Sequence, residues 1–144
     1  MTEVEAVAAL RRKVERYLEE LFGAYEVDAD DDFVVASGSA AVWVRPIELV
    51  ADRTGVRIWS VTNLDLRVDD ELTRFIATEN ANLLFGVLYL EEGRPAVAVG
   101  HTLLGEFLNR RELEVSVTEI AEAADRYDDQ IKARFGGRLL TEPS

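Results

Sequence analysis

The chain contains no cysteine, which removes disulfides, thiolate metal sites and thiol nucleophiles together. It has one histidine, His101, so imidazole clusters within a single chain are also excluded. Basic side chains are outnumbered, with 16 Lys and Arg against 28 Asp and Glu, a formal net charge of −12. Such a surface is repelled by phosphate backbones and anionic lipid, which argues against general nucleic-acid or membrane-surface binding. No stretch approaches the roughly 18 apolar residues of a membrane span. The segment MTEVEAVAALRRKVERYLEE lacks the charged, apolar and small-residue order of a signal peptide. These absences predict a cytoplasmic location. Lysine is scarce too: Lys13 and Lys132 stand alone beside many arginines, a usage typical of GC-rich bacterial genomes.

What is present suffices for a packed core. Forty-eight per cent of the 144 residues are hydrophobic, and the length suits one domain over 1–144, with 137–144 expected as a flexible tail. Thr2 and Glu5 have the spacing of a capping box. Val4, Val7, Leu10, Val14, Leu18 and Leu21 follow at helical spacing, so a helix is predicted from about residue 3 to Phe22, stopped by Gly23. An acidic turn, Asp28 to Asp32, leads into a meander of strands beginning at Phe33, at Ala40 to Val50 and at Val56 to Thr62. Pro46 interrupts the second of these and marks an edge or a bulge, because it has no N–H to donate.

Asp69 or Asp70 caps a second predicted helix running to about Asn82. A hairpin follows: Val87 to Leu90, a turn at Glu91 to Arg94, then Pro95 through Leu103. Residues Leu104 to Leu113 are ambiguous. Ser116 with Glu119 repeats the capping-box spacing, and Ile120, Ala124, Tyr127, Ile131 and Phe135 form a helical stripe ended by Gly136 and Gly137. The order α-β-β-β-α-β-β-α, with strands in consecutive runs, predicts an α+β fold with an antiparallel sheet packed against helices.

Strand alternation then selects a candidate surface. If Val42, Val44 and Ile58 meet the helices, Trp43, Arg45, Arg57 and Trp59 line the opposite face. Tryptophan and arginine are enriched at binding hot spots. The alternative is that another element or a second subunit covers this face, and both readings make it an interface. Asp28, Asp30 and Asp32 have the start of a calcium-loop spacing. Phe33 stands where that loop needs glycine and Ser39 where it needs glutamate, so they read as turn-stabilising residues. Asp125, Asp128 and Asp129 read as a solvated helix face. His101 has no partner placed by sequence for acid–base or nucleophilic work. No catalytic residue, metal site or cofactor is predicted.

The second half carries a resemblance. Asp70-Glu71-Leu72-x-Arg74-Phe75-Ile76-Ala77-x-Glu79-Asn80-Ala81-x-Leu83-x-Phe85-Gly86 resembles the central helix and following strand of YbjN-like domains. His101-Thr102-Leu103-Leu104-Gly105-Glu106-Phe107-Leu108 is similar to a strand end of their actinobacterial members. So is Ala124-Asp125-Arg126-Tyr127-Asp128-Asp129-x-Ile131, closing in Arg134-Phe135-Gly136-Gly137. That family is grouped with type III secretion chaperones of the CesT type. The resemblance implies the same secretion chaperone-like fold and a non-enzymatic homodimer that binds an unidentified protein or peptide client. It makes Phe75, Ile76, Asn80 and Leu83 dimer candidates, and adds Val7, Leu10 and Val14 to Trp43 and Trp59 as peptide-binding candidates. The alternative function is a small-molecule carrier or sensor with a pocket beneath Trp43 and Trp59.

Overall fold

The computed structural model describes residues 2–50 and 52–142. The first helix, α1 (Glu3–Phe22), begins where the capping box requires. The Glu5 amide donates to the Thr2 hydroxyl at 3.2 Å, and the Thr2 amide donates to the Glu5 carboxylate at 3.4 Å. Gly23 ends it with φ at 76°, in the left-handed region that glycine enters without strain.

Strands β1 (Glu26–Val27), β2 (Phe33–Ser37), β3 (Ala40–Glu48) and β4 (Thr54–Leu64) follow, then α2 (Asp70–Asn80). The hairpin β5 (Val87–Leu90) and β6 (Val97–Leu104) leads to α3 (Arg110–Phe135) and β7 (Arg138–Leu139). All pairings are antiparallel, in the order β1-β2-β3-β4-β6-β5, with β7 joined to the end of β4. Pro46 lies within β3 opposite Val56, at a point where β2 has already ended against Val44. Its missing N–H therefore costs the sheet no bond on that side.

Three expectations change. The last helix starts seven residues earlier than Ser116 suggests, at an Asn109–Glu112 capping box, and Ser116 is buried inside it. Asn serves as a cap as well as Ser does, and the Asn109 box directly precedes the apolar positions Leu113 and Val117. The second helix ends at Asn80, two residues early. Where a tail was expected from 137 onward, Arg138–Leu139 pair with Asn63 and Leu64, tethered by an Arg138–Asp65 ion pair.

All three helices pack on one face of the sheet. Leu10, Val14 and Leu18 of α1, Leu72, Phe75 and Ile76 of α2, and Leu113, Val117, Ile120 and Ile131 of α3 share one core with Val42, Val44, Val56, Ile58, Val97 and Val99. Each fully buried aliphatic side chain contributes about 1.5–3 kcal/mol of transfer free energy. The alternation predicted from sequence holds: Val42, Val44 and Ile58 turn to the helices, and their neighbours turn away from them.

Candidate functional site

The sheet face without helices is built by the outward positions of three adjoining strands. On β3 these are Ala41, Trp43, Arg45 and Ile47, and on β4 Gly55, Arg57, Trp59 and Val61. On β6 they are Ala98, Gly100, Thr102 and Leu104. The register sets Trp43 opposite Trp59 and Arg45 opposite Arg57, then Trp59 opposite Gly100 and Arg57 opposite Thr102. The indoles stack with centroids 6.3 Å apart and planes 15° from parallel. They pack against a small apolar cluster of Val61, Leu64 and Ala96, as does Leu140, which follows β7.

The acidic turn before β2 supports this face. Asp32 is buried and takes Arg45 bidentately, Nε to Oδ1 at 2.6 Å and Nη2 to Oδ2 at 2.7 Å. The same guanidinium lies 5.0 Å from the Trp59 ring centroid, a cation–π distance. Asp28 accepts the Trp43 indole N–H at 3.1 Å and the backbone amides of Asp30 and Asp32 at 3.0 Å each. The Asp32 amide, followed by the Trp43 indole, holds the Asp28 carboxyl below its ordinary range. The carboxylate oxygens of Asp28, Asp30 and Asp32 come within 4.8 Å of one another, but Asp28 and Asp32 already serve the turn and Arg45.

Arg57 is arranged differently. Its guanidinium lies over Gly100, where an added Cβ would come within 2.5 Å of Nη2. It stands 5.3 Å from the Tyr89 ring and donates to the Thr102 hydroxyl at 3.2 Å. No carboxylate among the described residues pairs with it. Arg45, Arg57, Trp59 and Tyr89 border an open hollow of about 390 Å³ that also touches Glu91 and Glu92. Burial pushes the Tyr89 hydroxyl up, with Arg57 opposing. Tyr89, Thr102 and Gly100 were not singled out from sequence. Gly100 did carry a signal, since glycine inside a strand marks close approach by another group.

The other candidates lie elsewhere. Leu10 and Val14 are buried in the core beneath α1, so neither presents a side chain to a partner, and Val7 is half-buried. Phe75 and Ile76 are core residues as well, Phe75 packing against Tyr127 and Phe135. Leu83 leans half-buried on that core. Asn80 donates to the Leu88 carbonyl at 2.9 Å and accepts the Leu88 amide at 2.8 Å. Leu84 and Val87 beside them are exposed. Asp125, expected on a solvated face, accepts the Ser39 hydroxyl at 2.6 Å and is half-buried, which places it at the β2–β3 turn.

His101 stacks on Phe85 with centroids 4.1 Å apart. Burial, then the charge of Arg57, lowers its pKa from the ordinary 6.5. No described carboxylate pairs with it. No helix among the described residues is long and apolar enough to cross a membrane.

Three helices packed on one side of an antiparallel sheet is a fold carried by solved type III secretion chaperones. Three solved structures share it. The chain superposes on the ExsC–ExsE complex with a TM-score of 0.62 at 16% identity, covering 82% of this chain and 92% of that one. The HopA1–SchA chaperone–effector complex gives 0.58 at 10% identity, with coverage of 81% and 93%. The Yersinia pestis type III secretion chaperone SycH, in complex with a fragment of YscM2, gives 0.56 at 15%, covering 83% and 98%. No curated protein sequence matches the chain. Residues 8–143 match the family described as T3SS (YopN, CesT) and YbjN peptide-binding chaperone 1, and the chain belongs to that family.

Proposed function

We propose that this protein is a non-enzymatic, cytoplasmic chaperone-like module that holds an extended segment of another protein against the Trp43/Trp59 face and works as a homodimer. The observation that carries this reading is the stacked indole pair, on a sheet face that no helix covers. Such rigid, amphipathic aromatics supply contact area at small entropic cost. Arg45 is locked by Asp32 and so is already organised for contact. Family membership and the protein complexes formed by the structural relatives point the same way. The hollow beside Trp59 is open to solvent, which favours an extended segment over an enclosed metabolite. The acidic remainder of the surface limits self-association of the apolar face.

For the dimer, the exposed side chains Leu84 and Val87 at the α2–β5 edge form the contact, with Phe75, Ile76, Asn80 and Leu83 shaping it from behind.

Comparative affinity capture from a native lysate tests the face. Wild type is expected to retain a protein that Trp43→Ala and Trp59→Ala both lose, while far-UV circular dichroism stays unchanged. Equal capture by all three forms would remove the face from the function.

A further inference from the structure

We propose that the segment held on this face is acidic, its carboxylate pairing with Arg57 while an adjacent apolar or aromatic side chain lies on the Trp43/Trp59 stack. This rests on the reading of the face as the binding surface and adds the chemical character of the occupant.

The charge distribution carries it. The chain has 28 acidic residues, yet the outward positions of β3, β4 and β6 hold Arg45 and Arg57 and no carboxylate. The net charge of −12 would by itself recommend basic partners, but the outward positions of these three strands carry only cations, with Glu91 and Glu92 confined to the rim of the hollow. Arg45 is already neutralised by Asp32. Arg57 is not, and it is the only half-buried arginine without an ion pair among the described residues. Arg11 and Arg138, also half-buried, pair with Asp31 and Asp65. The remaining unpaired arginines are exposed.

Partial desolvation of a cation is unfavourable unless a counter-charge arrives. The protein nevertheless keeps Arg57 flat, between Gly100 and Tyr89, with Thr102 fixing one end. A guanidinium oriented in this way retains the planar fork that matches a carboxylate. A basic segment would meet the uncompensated charge of Arg57 and no carboxylate at the outward positions of these strands.

Three peptides of equal length distinguish the outcomes. Each carries the same pair of phenylalanines, flanked by aspartates, asparagines or lysines, and binding is followed by the fluorescence of Trp43 and Trp59, the chain's two tryptophans. At physiological salt, which screens the repulsion from the chain's overall negative charge, the aspartate peptide is expected to bind about tenfold more tightly than the asparagine peptide, and the lysine peptide most weakly. Arg57→Gln should bring the first two to near equality. Arg57→Lys keeps the charge and should retain part of the preference, which also serves if Arg57→Gln folds poorly. Equal binding of all three peptides, or an acid preference that survives Arg57→Gln, overturns the proposal but leaves the binding face standing. If no peptide perturbs the indoles of the folded protein, the face itself fails. A fluorescence change that depends on protein concentration alone would assign the face to a second copy of the chain and overturn the proposal.

Discussion

His101 shows how burial beside a cation assigns a role to a side chain. Its ring rests on Phe85, and burial together with Arg57 disfavours the imidazolium. The folded-state pKa therefore lies below 6.5, so the unfolded chain takes up the proton first as pH falls. The contribution to stability is complete above that value and declines as pH drops from there toward the folded pKa. Urea unfolding at pH 7.5 and 5.5 should show this loss, and His101→Gln should reduce it. A histidine used to organise a charged site would show the opposite slope. At this scale sequence reasoning was informative about type and blind to contact. Trp43, Arg45, Arg57 and Trp59 could be placed on one face from alternation, but Asp32 as the partner of Arg45 could not. That pairing depends on how the acidic turn folds back against β3, which no spacing encodes.

Among the elements, the α2–β5 corner is the most instructive. Leu88 pairs with Val99 of β6, and on its other side Asn80 meets both its amide and its carbonyl. A side-chain amide thus stands in for one residue of a neighbouring strand, and the outer edge of β5 is capped at that point. Asn80→Ala leaves two backbone groups unpaired in a half-buried position. A destabilisation of about 1–3 kcal/mol is expected by chemical unfolding. The long elements were legible because their signals are redundant: α1 has a capping box, an apolar stripe and a terminal glycine. The ambiguous stretch before α3 was not, because two capping-box spacings compete there, Asn109 with Glu112 and Ser116 with Glu119. Packing of Leu113 and Val117 into the core decides for the first. β1 and β7 are two residues each, too short for periodicity to register.

At the scale of the whole molecule, the proposed function uses two surfaces that the helices leave uncovered: the aromatic sheet face and the α2–β5 edge. The edge is proposed for the second protomer. Static light scattering at micromolar concentration is expected to give twice the chain mass. A Leu84→Glu, Val87→Lys double variant should reduce it to one while preserving the helical circular dichroism. A monomeric wild type would count against the dimer, and an unchanged variant would move the contact elsewhere. The C-terminal segment bears on the other surface, since Leu140 packs against the same apolar cluster as Trp43 and Trp59.

The sequence by itself determined the order of the elements, the side to which each strand residue points and the absence of thiol chemistry, because those follow from local periodicity and composition. It also carried the family resemblance, which rests on contiguous motifs. Only the tertiary structure decided that Arg57 lies between Gly100 and Tyr89, that Asp32 neutralises Arg45, and that Leu10, Val14, Phe75 and Ile76 belong to the core. These are relations between segments up to tens of residues apart, set by strand register and by competition for burial. Neither quantity can be read from a single window of chain.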